Sequence, residues 1–99
     1  MTMRPESGGR VELVLTHGDD ATAEYEVSLS LRDGEWSGTA KARCAGGVEG
    51  PTWSGQSSPP AWLVALAQTL LRGAVRSKLS EAGWPRRVTR WRPGPEERS

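Results

Sequence analysis

Ten consecutive residues alternate without a break: Ala23, Tyr25, Val27, Leu29 and Leu31 against Glu24, Glu26, Ser28, Ser30 and Arg32. Period two sends the first set to one face of a strand and the second to the other. Such a strand is half-buried, so it belongs to a sheet with one covered face and one wet face. Asp33-Gly34 follows at once, the pair favoured by a two-residue type I′ hairpin turn. A turn centred there makes Arg32 face Glu35, Glu26 face Lys41, Glu24 face Arg43 and Ser28 face Thr39. The three opposite-charge pairs argue for that register. On the other face Leu31 meets Trp36, Leu29 meets Gly38, Val27 meets Ala40, Tyr25 meets Ala42 and Ala23 meets Cys44. The small row Gly38, Ala40 and Ala42 leaves room for another element to lie close.

The flanking segments extend the sheet. Val11, Leu13 and Leu15 alternate with Glu12, Val14 and Thr16, and Gly18-Asp19-Asp20 marks a turn. Gly46-Gly47-Val48-Glu49-Gly50 lacks the spacing of any phosphate-binding loop and reads as a loop or bulge. Thr52 to Gln56 reads as a short fourth strand.

Near residue 57 the period becomes helical. Ser58 suits an N-cap, Pro59 the first helical position and Gly83 the residue after the C-cap, so a helix from Pro59 to Ala82 is expected, roughly 36 Å long. Leu63, Leu66, Ala67, Leu70 and Ala74 form one stripe, and Val64, Leu71 and Val75 widen it beyond what a sheet covers. This flank, Val64, Leu71 and Val75, is the expected oligomer interface, with a homodimer as the simplest assembly. Trp84-Pro85 breaks the helix, and Arg86 to Arg92 is extended, as a short C-terminal edge strand bounded by prolines would be. The fold class is therefore α+β: an antiparallel β-meander of three to four strands, one long helix packed on one face, and that short edge strand. Residues 10–92 form a single domain, with residues 1–9 and 93–99 as flexible ends.

Charge is divided along the chain. Residues 1–58 hold five basic and nine acidic side chains, whereas residues 59–99 hold eight basic and three acidic ones, although the whole chain is only +1. Arginine outnumbers lysine eleven to two, a bias that a GC-rich genome also produces. The basic half ends in a strand where Arg86, Arg87, Arg90 and Arg92 interleave with Trp91. That segment is the candidate contact for an anionic partner. A protein with an acidic surface comes first, and nucleic acid second, because the pI near 8.0 lies below the range of most nucleic-acid binders.

Chemistry is sparse. His17 beside Asp19 and Asp20 is the one arrangement that resembles a general base, and no nucleophile accompanies it. Cys44 is the single cysteine and His17 the single histidine, so no Cys/His metal cluster or disulfide can form within the chain. Cys44, at the end of the inward row, reads as a buried, inert thiol. No catalytic residue, cofactor or metal is assigned. The first residues lack the apolar segment of a secretory signal, and Ala61 to Ala67 is too short to span a membrane. The expectation is a cytoplasmic, non-catalytic interaction domain that self-associates through its helix.

Overall fold

The computed structural model describes residues 8–32, 34–55 and 57–93; Asp33, Gln56 and most of both expected flexible ends lie outside the described residues. Strands β1 (Gly9–Gly18), β2 (Thr22–Leu31), β3 (Gly34–Arg43) and β4 (Gly47–Trp53) precede helix α1 (Ala61–Leu79) and strand β5 (Arg87–Arg92). They form one five-stranded sheet in the order β4-β3-β2-β1-β5, antiparallel throughout. The fold is α+β, as the periodicities predict. After the meander, α1 crosses one face of the sheet and returns the chain to the far edge, where β5 pairs with β1.

The alternation in β2 assigns faces correctly. Ala23, Tyr25, Val27 and Leu29 are buried with Val11 and Leu13 of β1 and Ala40 of β3, and Leu63, Ala67, Leu71 and Ala74 of α1 close the core over them. Burying each Val, Leu or Tyr there contributes on the order of 1.5–3 kcal/mol. Five tryptophans supply most of the aromatic surface. Trp36, Trp53, Trp62 and Trp84 are half-buried around the rim of this core.

The hairpin register differs from the expected one by two residues. Leu31 pairs with Gly34, Leu29 with Trp36, Val27 with Gly38 and Glu24 with Lys41. Arg32 therefore lies in the turn with Asp33, and Arg32 has no positive φ of the kind a type I′ turn needs at that position. A two-residue slip preserves every face, so the alternation fits both registers. None of the three expected ion pairs is directly opposed in this register: Glu24 instead faces Lys41, at 3.7 Å, and Arg43 reaches Glu49 of β4 at 3.1 Å. Cys44 falls in the β3–β4 turn, half-buried rather than buried, because Ala42 takes the place opposite Ala23.

The glycine-rich stretch is a strand with a bulge, not a loop, and the fourth strand runs earlier than expected. Thr39 pairs with Thr52 and Lys41 with Glu49, leaving Gly50 and Pro51 together opposite Ala40. Gly50 takes φ +88, and the Gly50–Pro51 peptide is cis. The two-against-one bulge interrupts the outer edge of β4, where Pro51 has no N–H to offer.

Helix α1 is shorter than expected at both ends. Pro59 precedes a second proline, which disfavours helical geometry; Pro60 is extended (φ −59, ψ 142) and serves as the N-cap without a side-chain cap. At the other end Ala82 N–H donates to Ser77 C=O and Glu81 N–H to Lys78 C=O, both at 3.1 Å. These two bonds are a Schellman closure with Glu81, at φ 69, in the left-handed position that glycine prefers. The expected terminator, Gly83, comes two residues later, and its carbonyl accepts from Ser77 Oγ at 2.9 Å.

Candidate functional site

Two side chains tie the segment after α1 to the sheet. Trp84 Nε1 donates to the Asp19 carbonyl at 2.7 Å, and Tyr25 Oη donates to the Pro85 carbonyl at 2.7 Å. The Leu15 amide then donates to the Arg86 carbonyl at 2.9 Å, and β5 begins. These anchors fix where the arginines stand.

Opposed residues of an antiparallel pair share a face. Val88, Arg90 and Arg92 lie opposite Leu13, Val11 and Gly9, on the helix side of the sheet. Arg87, Thr89 and Trp91 lie opposite Val14, Glu12 and Arg10, on the open side. The four arginines therefore do not form one patch. Glu12 sits between Arg10 (3.8 Å) and Arg87 (3.9 Å) on the open face. Pairs this long and this exposed contribute at most about 1 kcal/mol. Trp91 is 46 % exposed beside them.

Arg90 and Arg92 bend back to the backbone of their own strand. Arg90 Nη1 donates to the Thr89 carbonyl at 2.8 Å, and Arg92 Nη1 to the Trp91 carbonyl at 3.0 Å. Among the described residues no carboxylate lies within ion-pair distance of Arg86, Arg90 or Arg92.

At the other end of β5, Arg86 and Arg87 meet His17. A bulge at Thr16 shifts the β1–β2 register, so that Leu15 pairs with Tyr25 but His17 with Glu24. Val14, Leu15, Thr16, His17, Gly18, Arg86 and Arg87 line a shallow, open depression of about 550 Å³. The sequence separates His17 from the arginines by nearly the whole domain, and only the β1–β5 pairing brings them together.

Asp19, the carboxylate beside His17, is engaged by the β1–β2 turn. Asp19 Oδ1 accepts the backbone N–H groups of Ala21 and Thr22, both at 2.8 Å, and the Thr22 hydroxyl at 3.3 Å. The Ala21 N–H, then the Thr22 N–H, hold the Asp19 carboxyl below its ordinary range, and His17 contributes least. Asp19 is thus a turn residue whose acceptor capacity goes to the β1–β2 connection. Asp20 lies 3.8 Å from Lys78 of α1. Among the described residues no group of three or more His, Cys, Asp or Glu side chains could hold a metal ion, and no helix is long and apolar enough to cross a membrane.

The helix flank expected to form an oligomer interface needs correction. Leu71 is fully buried in the protomer's own core. The helix is rotated so that Leu63, Ala67, Leu71 and Ala74 face the sheet, with Leu66 and Leu70 on one margin and Val64 and Val75 on the other, all four half-buried. Leu79, 61 % exposed at the helix end, is the apolar residue on the Val64–Val75 side that the core does not cover.

No protein family, curated protein or solved structure matches the chain.

Proposed function

We propose that this chain is a small non-catalytic interaction domain that contacts an acidic surface of a partner protein through the β5 margin. The observation that carries the reading is the placement of Arg90 and Arg92 on the same strand as the half-exposed Trp91, with Arg86 just before that strand; none of the three arginines has a carboxylate within reach among the described residues. Arginine and tryptophan are the side chains most enriched where binding energy concentrates. The guanidinium is weakly hydrated, so desolvating it against a carboxylate costs less than desolvating an ammonium.

A protein partner is favoured over a nucleic acid for two reasons. The basic side chains divide between two faces instead of tracking one backbone. The open sheet face along which a single strand would lie carries Glu24, Glu26 and Glu35 on neighbouring strands. The test is a salt series with an acidic peptide and a single-stranded oligonucleotide as competing probes. Peptide binding that weakens in Arg87→Ala and Arg90→Ala supports the reading. Exclusive oligonucleotide binding, with quenching of Trp91 fluorescence, removes it in favour of nucleic acid.

Self-association through α1 is a second reading, supported by the exposure of Leu79 in line with Val64 and Val75. It requires a dimer by light scattering at tens of micromolar that Leu79→Glu converts to monomer.

A further inference from the structure

β5 is the terminal strand of the sheet, and nothing among the described residues pairs with its outer side. Which of its backbone groups face outward follows from a single bond. Leu15 N–H donates to the Arg86 carbonyl, and the β1–β5 register continues that pairing through Leu13–Val88 and Val11–Arg90. Hydrogen-bonded pairs alternate with non-bonded ones in an antiparallel ladder. The backbone groups of Arg87 and Thr89 are therefore directed away from β1, towards the outer margin of the sheet. The Thr89 carbonyl that Arg90 caps is an edge carbonyl.

We infer that β5 accepts an acidic, extended segment of a partner protein as an added strand, with Arg90 and Arg92 exchanging their backbone carbonyls for that segment's carboxylates. The inference rests on the interaction reading above and names its mode. An incoming strand brings N–H groups that replace the guanidinium at the Thr89 carbonyl, and carbonyls that take up the Thr89 N–H. The two guanidinium groups, already held at the edge, are released beside the new strand. Their side chains share the helix side of the sheet, so acidic residues at alternate positions of the added strand meet both. A guanidinium–carboxylate bond is charge-assisted and stronger than the guanidinium–carbonyl bond it replaces. The intervening positions of the added strand fall on the open side, next to Thr89 and Trp91. The recognised sequence is then one of alternating acidic and apolar residues. The opposite edge of the sheet offers no equivalent, because the Gly50–Pro51 bulge breaks its ladder.

The probe is a fluorescently labelled synthetic peptide of alternating Glu and Val, measured by anisotropy against the full chain. Two further peptides carry backbone N-methyl groups on every Glu or on every Val, so each blocks one edge of the peptide strand. Thr89→Pro removes an outward N–H and leaves the β1 pairing intact, with its fold checked by circular dichroism. The expected result is binding of the parent peptide, loss of at least about tenfold in affinity for one methylated peptide but not the other, and a similar loss in Thr89→Pro and in Arg90→Ala/Arg92→Ala. If both methylated peptides bind like the parent, strand addition is overturned while the acidic-partner reading stands. If the parent peptide does not bind at all, both fall. If Thr89→Pro does not fold, the contrast between the methylated peptides decides alone.

Discussion

The Tyr25 hydroxyl donates to the Pro85 carbonyl across sixty residues of chain, at 2.7 Å. It is the polar end of a fully buried ring in the central core, and it holds the turn from which β5 departs. Burial pushes the phenol from 10.0 up to about 12. Folding thus favours the protonated form, and its contribution is complete below pH 10 and is lost as pH rises through about 12. The loss amounts to at most roughly 3 kcal/mol. Tyr25 is the single tyrosine, so tyrosinate absorbance in native and denaturing buffer reads the difference directly. Tyr25→Phe should abolish that alkaline loss and cost about 0.5–1.5 kcal/mol at neutral pH.

Leu71 and Leu79 lie two turns apart on α1 and separate core from surface. Leu71→Ala should lower stability by about 2–5 kcal/mol, as a fully buried leucine does. Leu79→Ser should stay within about 0.5 kcal/mol of the parent. Denaturant titration followed by tryptophan fluorescence distinguishes the two.

Glu81 occupies a left-handed position at φ 69, where a Cβ is unfavourable. Glu81→Gly should raise stability by roughly 0.5–1.5 kcal/mol and raise the melting temperature. Gly83→Ala, at φ +86, should do the opposite. Thermal melts of the two variants form a matched test.

Gly38 is buried in β3, opposite Val27. A Cβ there would run into the Thr52 carbonyl of β4 and the Trp53 ring. Gly38→Ala should cost about 1–3 kcal/mol through overpacking, with amide exchange accelerated first in β4.

Face assignment was legible because alternation in β2 admits one solution, and Tyr25, Val27 and Leu29 stand where it puts them. Register was not, since a slip of two residues leaves all faces unchanged and exposed charge pairs are too weak to select between the alternatives. The edge position of Arg86 to Arg92 followed from its bounding prolines. The capping of the Thr89 and Trp91 carbonyls by Arg90 and Arg92 did not, because alternation says which face a side chain leaves from and nothing about its bending back. The helix arc covered nearly half the wheel, so two orientations fitted it, and burial of Leu71 was decided by the sheet beneath. The meeting of His17 with Arg86 and Arg87 depends on a bulge at Thr16 that has no local signature.

The two margins of the sheet are chemically unlike: the β4 side is broken at Gly50–Pro51, the β5 side is continuous and lined with guanidinium groups. A fibre built by stacking sheets side by side needs a donor margin and an acceptor margin on every copy. Among the described residues the β5 margin is the unbroken one, so copies of this chain meeting edge to edge would pair β5 against β5 and close as a two-fold dimer instead of propagating.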